Sequence, residues 1–251
     1  MLGRRLVEVL QQTIKKAEII ESIVDLTKKE KVEAYINSLP ELDFVFHLAA
    51  IVPIEKVNKN PFVAFAVNVG GTLNLLTSLK NRNLKFIFAS TSHVYAPKND
   101  SIREDDALAP ISIYGETKLI AENLVKKISQ ISNSSYMIAR IFSMHDSNQT
   151  GSFLRPNLEK RFISEDLTKP FYLEGGESKR DFLPTVKVAE LLVQLALSNA
   201  AGTFNIASGR AMTVSDFAQT LTSENLNIIS QGKSNDLYAN TTKLVNYLSN
   251  H

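Results

Sequence analysis

The sequence predicts an α/β protein: a Rossmann-like, doubly wound parallel sheet with a small C-terminal substrate-binding lobe. Short apolar runs alternate with longer segments of helical periodicity, which is the pattern of βαβ units whose strands are buried on both faces. The 251 residues comprise 44% hydrophobic and 22% charged residues, an ordinary globular composition that needs no metal or disulfide to support a core.

The first part of the chain supplies most of the predicted sheet. Leu2, Leu6 and Val9 recur at helical spacing, so the chain begins in or just before a helix. The predicted elements that follow are a strand over 19–24, helix 28–38, strand 44–48, helix 62–79, strand 86–89, helix 114–128 and strand 136–142. Because strands and helices alternate, parallel pairing is expected.

The alternation loosens after about residue 143. A polar, turn-like stretch covers 146–150, Gly175 and Gly176 mark another break, and helical patterns return at 186–197 and 214–221. We therefore expect a main domain over 1–143, to which segments of about 180–210 return, and a smaller lobe formed mainly by 144–251.

Composition also excludes several classes of function. The net charge is +2 and the charges are interspersed, so no basic stripe for nucleic acid is present. The absence of cysteine excludes thiolate metal sites and fits a cytoplasmic protein, and the four histidines lack metal-ligand spacing. The most apolar stretch, 44–54, is shorter than the roughly 20 residues of a membrane helix. Nucleic-acid, metal and membrane sites are therefore not expected.

One candidate for chemistry is the pair Tyr114 and Lys118. Their four-residue spacing puts the phenol and the ammonium on one face of the predicted helix. A phenol titrates near pH 10, so acid/base use at neutral pH requires its pKa to fall by about three units, or roughly 4 kcal/mol. A neighbouring cation would provide this, although an ordinary solvated helix face has the same pattern.

Small and hydroxyl side chains follow two of the predicted strands. Ser90, Thr91 and Ser92 come after the apolar run at 86–89, where open α/β sheets bind ligands; a capping turn is the alternative. Another strand ends in small residues at 48–50, after His47, which is more typical of a core histidine than of a ligand.

In order and at similar spacing, these motifs resemble one family. The matching segments are 47–50 (HLAA), 68–76 (NVGGTLNLL), 90–95 (STSHVY), 114–118 (YGETK), 180–182 (RDF) and 204–209 (FNIASG). The chain resembles the extended short-chain dehydrogenase/reductase superfamily, in its NAD-dependent nucleotide-sugar epimerase/dehydratase branch.

The resemblance implies roles for individual residues. Tyr114 would be the acid/base, Lys118 would hold the nicotinamide ribose and lower the pKa of the tyrosine, and Thr91 would hydrogen-bond the same sugar oxygen. The implied cofactor is NAD, with NADP not excluded. Besides Tyr114 and Lys118, the implied cofactor-binding residues are Gly3, Asp25, Leu26, Leu48, Ala49, Ala50, Asn68 and Ser90.

The implied substrate is a nucleotide-sugar. Arg180 would clamp its diphosphate, as suits a bidentate guanidinium. The other implied substrate contacts are Ser92, His93, Ser143 and Asn157. The family also implies a homodimer built from the helices at 62–79 and 114–128, for which Leu119, Ile120, Leu124, Val125 and Ile128 are candidate face residues or core residues.

The sequence departs from the family at its start. The family begins with a strand and a Gly-x-x-Gly-x-x-Gly turn that holds the cofactor pyrophosphate. Here Gly3 matches only the last glycine, so we expect two exposed strand edges and an apolar slot where the strand would lie. A shortened or mis-started chain is the preferred explanation, and a natural truncated form is the other.

The resemblance also bears on the reaction. Sugar 4,6-dehydratases of this family place Asp-Glu directly after the catalytic Thr, whereas this chain has Ser92 and His93. A 4-epimerase-like enzyme is therefore the leading hypothesis, and an NAD(P)H-dependent keto-sugar reductase is the alternative. Because two glycines are missing, a non-catalytic binding protein is a third hypothesis.

Overall fold

The computed structural model describes residues 1–250. The helices are α1 Leu2–Thr13, α2 Lys29–Ser38, α3 Ile54–Lys59, α4 Pro61–Phe65, α5 Thr72–Leu79, α6 Ile113–Ser132, α7 Leu154–Ser164, α8 Thr185–Leu197, α9 Val214–Thr220 and α10 Thr242–Ser249. The strands are β1 Phe44–His47, β2 Lys85–Thr91, β3 Ser135–Ile141, β4 Ser143–His145, β5 Phe171–Glu174, β6 Lys179–Pro184, β7 Gly202–Ile206, β8 Ala211–Thr213 and β9 Ile228–Gln231.

The main sheet is parallel throughout, as the alternation of strands and helices predicts. Its four strands lie in the order β1-β2-β3-β7. Helices α1 and α8 cover one face through residues such as Leu6 and Leu192, while α2, α5 and α6 cover the other through residues such as Leu76 and Val125. The α/β fold with helices on both faces of a parallel sheet is therefore confirmed.

Smaller sheets follow the main one. Strands β4, β6 and β8 form a three-stranded sheet, and β5 pairs with β9. A separate apolar cluster holds this part together and includes Leu158, Phe171 and Phe217. Strand β6 continues into α8, which packs on the main sheet, and β7 then joins that sheet beside β3.

The predicted strand over 19–24 is wrong. That segment has no regular secondary structure, and Ile23 is fully exposed. A strand needs a hydrogen-bonded neighbour, and among residues 1–250 none lies beside it. Strand β1 is consequently an edge of the described sheet, with Phe44, Val45 and Phe46 only half-buried.

The predicted long helix over 62–79 is present as the run Pro61–Leu79, but it is not uniform. Its middle, Ala66–Gly71, is π-helical. The run has the length and mean hydropathy, 1.5, of a membrane-spanning segment. Leu75, Leu76 and Leu79 are buried in the core cluster shared with α2 and α6, so this helix packs as a core element of the fold.

Candidate active site

The candidate site lies at the carboxyl ends of β1 and β2, where α6 begins. The Ser112 hydroxyl accepts a hydrogen bond from the Gly115 amide at 3.1 Å and caps the helix. The backbone of Gly115 lies against the turn after β2, so closely that a Cβ there would be 2.2 Å from the His93 carbonyl oxygen. Glycine at this position therefore lets α6 approach Thr91.

Tyr114 and Thr91 meet at this contact. Both side chains are buried. Burial raises the pKa of Tyr114 to about 12, and the neighbouring Thr91 hydroxyl counters this only in part. The expected lowering of this pKa by Lys118 stays a prediction.

Lys118 is almost fully buried, with 2% exposure. Its Nζ lies 4.0 Å from the centroid of the Phe88 ring. Burial lowers its pKa to about 7, and the carboxylate of Glu122 opposes that shift. Among the described residues, no oxygen accepts a hydrogen bond from this ammonium. The ammonium is therefore open to a ligand that offers an oxygen here.

Asn68 ties the loop after β1 to α6. Its side-chain amide donates to the Ile51 carbonyl at 3.1 Å and to Thr117 Oγ1 at 3.0 Å, and its Oδ1 accepts from the Ile51 amide at 2.7 Å. The Thr72 hydroxyl donates its hydrogen to the Asn68 carbonyl. Its oxygen therefore accepts the hydrogen bond at 2.9 Å from the Nε2–H of His47. His47 is therefore a hydrogen-bonded core histidine, as its place in an apolar strand predicts.

The predicted cofactor-binding residues lie around the same end of the sheet. A Cβ on Gly3 would be 3.8 Å from Leu48 Cδ1, so the start of α1 adjoins the loop that contains Leu48, Ala49 and Ala50. Gly71 packs so closely against Leu26 that no side chain would fit, because a Cβ on Gly71 would be 2.9 Å from Leu26 Cβ.

Asp25, Leu26 and Ser90 have partners of their own. Asn74 donates to the Leu26 carbonyl at 2.9 Å. Asp25 is exposed and accepts hydrogen bonds from Thr27, which lower its pKa. Ser90 donates its hydroxyl to Glu122 at 2.6 Å, so that group faces the interior of the protein.

The predicted substrate contacts are spread more widely. The His93 ring packs edge-on to Tyr114 with centroids 5.8 Å apart, and both burial and the positive charge of Arg180 lower its pKa. Ser92 is buried beside it. Arg180 is half-buried and donates to the carbonyls of Lys179 and Asn235.

Ser143 and Asn157 stand apart from that group. Ser143 pairs with Phe182 in the smaller sheet, and Asn157 is exposed on α7. The structure therefore brings His93 to Tyr114 and Arg180 close enough to His93 to affect its pKa, and within residues 1–250 no hydrogen bond or ring contact joins Asn157 to them.

Sequence reasoning missed two ion pairs. Glu122 on α6 and Arg140 on β3 form a buried pair at 2.8 Å. Arg5 on α1 binds both carboxylate oxygens of Asp146, at 2.8 and 3.1 Å, and lowers the pKa of Asp146 to about 2. An arginine inside the apolar strand at 136–142 was the available signal for the first pair, because a buried charge requires a partner.

Within residues 1–250, no cluster of three or more His, Asp or Glu side chains could hold a metal ion.

Comparison with known protein families shows which family the chain belongs to. The model of the GDP-mannose 4,6 dehydratase family matches residues 4–248. The chain belongs to this family. It is a family of enzymes within the extended short-chain dehydrogenase/reductases, so the resemblance drawn from the motifs is confirmed.

Members of this family with curated descriptions share about 30% identity with the chain. An uncharacterized UDP-glucose epimerase, YtcB, of Bacillus subtilis is 33% identical over 159 residues, which cover 62% of this chain and 49% of that protein. A probable low-salt glycan biosynthesis reductase of Haloferax volcanii is 28% identical over 201 residues, which cover 79% of this chain and 64% of that protein. The chain thus spans less than two thirds of the length of either relative.

Solved structures of the same fold are similar over nearly the whole chain. The UDP-glucose 4-epimerase of Thermus thermophilus, in complex with NAD, superposes with a TM-score of 0.82 at 20% identity, covering 98% of this chain and 89% of that one. RMD from Pseudomonas aeruginosa, complexed with NADPH, has a TM-score of 0.83 at 20% identity and covers 99% and 89%. At this identity the likeness establishes the Rossmann-like fold.

Proposed function

We propose that this dehydratase-family protein is an NAD-dependent nucleotide-sugar epimerase of the 4-epimerase type. The observation that carries the proposal is the buried Tyr114–Thr91 pair, with the buried Lys118 one helical turn from Tyr114 on α6. A phenol, a hydroxyl and an ammonium at one strand end are the groups needed to move a proton to and from a sugar hydroxyl. The UDP-glucose 4-epimerase of Lactobacillus helveticus, 27% identical over 66% of this chain, supports the same reaction.

The residues after Thr91 favour epimerisation over loss of water. Elimination needs an additional acid and base next to the catalytic hydroxyl, a task for which Ser92 and His93 are poorly suited. Ser92 is a buried hydroxyl, and burial together with Arg180 lowers the pKa of His93, which favours its neutral form. The family name alone therefore does not assign dehydration to this chain.

The site's residues fit a nicotinamide cofactor at the catalytic end. The unpartnered ammonium of Lys118 is available to a ribose hydroxyl, and Leu48, Ala49 and Ala50 would form the wall beside the ring. Gly71 and Asn74 hold Leu26, which with Asp25 would take the adenine side. NAD is the proposed cofactor, and the exposed Asp25 leaves NADP as an alternative to be tested.

In the proposed reaction, the phenolate form of Tyr114 accepts the proton of a sugar hydroxyl while Thr91 donates a hydrogen bond to the same oxygen. NAD, when bound, would accept the hydride from the sugar carbon and later return it. The positive charge of Lys118 stabilises the phenolate, which opposes the effect of burial on its pKa. After the hydride is returned to the other face of the keto-sugar carbon, Tyr114 would give the proton back to the oxygen, which restores the hydroxyl.

The substrate and assembly are part of the proposal. We infer that residues 144–251 mainly form the lobe that selects the nucleotide-sugar, with Arg180, Ser143 and Asn157 as candidate contacts.

A homodimer is supported by an exposed apolar stripe on the run Pro61–Leu79, formed by Phe62, Phe65 and Leu73. Val125 is fully buried in the core and does not belong to this face. The absence of cysteine supports a cytoplasmic location.

The test is turnover of a panel of UDP-, GDP- and dTDP-sugars by the purified protein with added NAD, followed by NMR of the sugar products. We expect a 4-epimer from at least one substrate and a loss of at least about 100-fold in Tyr114→Phe. Tyr172→Phe is the matched control, because Tyr172 is exposed on β5. Absence of turnover, or full activity in Tyr114→Phe, would refute the proposal.

A reductase is the second candidate, and a specific observation favours it. The Haloferax volcanii relative, a probable reductase, is matched over more of this chain than the Lactobacillus epimerase, 79% against 66%. Stoichiometric oxidation of NADH or NADPH by a keto-sugar would identify a reductase. An epimerase uses the cofactor in catalytic amount.

A further inference from the structure

The helix that carries the proposed catalytic pair has a third ionisable residue on the same side. Tyr114, Lys118 and Glu122 follow each other at four-residue spacing on α6. The side chain of Glu122 has no exposed surface, yet the proposed proton transfer does not use it. Because a buried carboxylate is costly unless it is paired, its partners indicate its role.

Glu122 is held by groups on the two central strands. Arg140 on β3 donates from Nε to Oε1 at 3.0 Å and from Nη2 to Oε2 at 2.8 Å. Ser90 on β2 donates to Oε1 at 2.6 Å. Ser90 immediately precedes Thr91, so Glu122 fastens α6 to β2 one residue before the hydroxyl that contacts Tyr114.

The guanidinium of Arg140 is itself fixed from the opposite side. Its Nη1 donates to the Tyr95 hydroxyl at 2.7 Å and to the Glu104 carbonyl at 3.1 Å. Tyr95 in turn donates to Asn205 Oδ1 at 2.9 Å. The carboxylate of Glu122 is thus locked in place by a network that spans β2, β3 and β7.

Lys118 lies between this carboxylate and the proposed reaction site. The titratable groups that interact with its charge are His47 from β1 and Glu122 from its own helix, and Tyr114 precedes it on α6 by four residues. Phe88 from β2 contributes only its ring. Among the described residues, Glu122 is the anion that acts on Lys118. Two cations pair with the Glu122 carboxylate itself: Arg140 at 2.8 Å and Lys126 at 3.8 Å.

We propose that Glu122, held by Arg140 and Ser90, is a positioning residue of this site: it keeps α6 in register with Thr91 and keeps the Lys118 ammonium protonated. This inference rests on the proposed function, in which Lys118 must carry a positive charge beside Tyr114. Of the three ionisable residues on α6, only Lys118 and Tyr114 would touch the cofactor and sugar, and Glu122 acts through them.

The test measures the protonation of Lys118 directly and needs neither substrate nor cofactor. The protein is labelled with ¹³Cε-lysine, and the Lys118 signal is assigned by its loss in Lys118→Arg. The titration is then followed in the wild type, in Glu122→Gln, and in the double variant Glu122→Leu/Arg140→Met. The double variant replaces both charges by apolar groups of similar volume, an exchange that buried ion pairs often tolerate.

We expect the Lys118 midpoint to fall in both variants because the nearby anion is removed, by about one pH unit in Glu122→Gln and by less in the double variant, which also removes the Arg140 cation. Glu122→Asp, which retains the charge, should restore most of the wild-type value. Lys85 is an internal control, since it is bonded to the carbonyls of Leu195, Ala196 and Ser198 far from Glu122, and its midpoint should not move.

An unchanged Lys118 midpoint in a folded neutral variant would overturn the proposal and leave the ion pair a purely structural feature. Failure of both neutral variants to fold would also overturn it, since the pair would then be needed for stability itself. Because turnover is not measured, the result stands apart from the test of the epimerase. A protein without epimerase activity still gives a readable Lys118 titration.

Discussion

Gly115 and His93 touch through their backbones: a Cβ on Gly115 would lie 2.2 Å from the His93 carbonyl oxygen and 3.1 Å from Pro110 Cβ. This contact joins the first turn of α6 to the turn after β2, and it brings Tyr114 to Thr91. The meeting of the two proposed catalytic groups therefore depends on a glycine that itself does no chemistry.

Gly115→Ala should force these two segments apart. The added methyl group would clash with a backbone carbonyl, which cannot move aside as a flexible side chain could. We therefore expect the free energy of unfolding, measured in urea, to fall by about 1 to 3 kcal/mol. Gly70→Ala is the control, because its Cβ would have 3.9 Å of clearance from the Phe65 carbonyl. Equal stability of Gly115→Ala and the wild type would contradict the close approach.

Asn68→Ala should loosen the loop after β1. The change leaves the Ile51 amide and carbonyl and the Thr117 hydroxyl without their side-chain partner, at an expected cost of about 2 to 4 kcal/mol. Hydrogen exchange at the Ile51 amide should quicken. Asn74→Ala, which removes only the bond to the Leu26 carbonyl, should cost about 1 kcal/mol; a similar loss in both variants would argue against a special role for Asn68.

His47 should make stability fall in mild acid. Burial lowers the pKa of His47 to about 3, whereas the unfolded histidine titrates near its ordinary value of 6.5. Between these values the unfolded state binds the extra proton, so the free energy of unfolding should fall by up to about 1.4 kcal/mol per pH unit as pH drops from 6 to 4.5.

His47→Gln can keep a hydrogen bond to Thr72 but cannot titrate, so it is the matched comparison for this effect. Urea denaturation of both proteins across the same pH range measures the difference in slope. We expect a shallower dependence in His47→Gln. Parallel curves for the two proteins would show that another group causes the loss of stability.

Leu73→Lys should disrupt the proposed dimer. Leu73 is 38% exposed on the run Pro61–Leu79, in the stripe with Phe62 and Phe65, and a charge there would have to be desolvated at an interface. Light scattering after size exclusion should give twice the chain mass for the wild type and one chain mass for the variant. Ile163→Lys, on the exposed side of α7, should leave the mass unchanged. A monomeric wild type would refute the dimer.

The strength of the local signals decided which elements could be predicted. Helices α1, α2, α6 and α8 and strands β1, β2 and β3 all carry a continuous apolar period, which arises from burial against one sheet. Strands β4, β8 and β9 are three or four residues long and partly exposed, so their local pattern is weak. The predicted strand over 19–24 has a good β pattern but no pairing partner among residues 1–250, and pairing rather than propensity decides strand formation.

For the candidate site too, some features could be predicted from the sequence and others could not. Residue type and order identified Thr91, Tyr114 and Lys118 as a family motif, because chemistry restricts which side chains can stand there. The sequence could not reveal that burial raises the pKa of Tyr114 and lowers that of Lys118, because desolvation depends on what surrounds a group in three dimensions.

By itself, the sequence determined the family, the alternating α/β order and the identity of the proposed catalytic groups, all of which are encoded in local pattern and spacing. Only the tertiary structure decided that Glu122 on α6 meets Arg140 on β3 and Ser90 on β2, and that Arg5 on α1 meets Asp146. Such partners lie far apart along the chain. A buried charge reveals that it needs a partner, but only the packing of helices on the sheet selects which one.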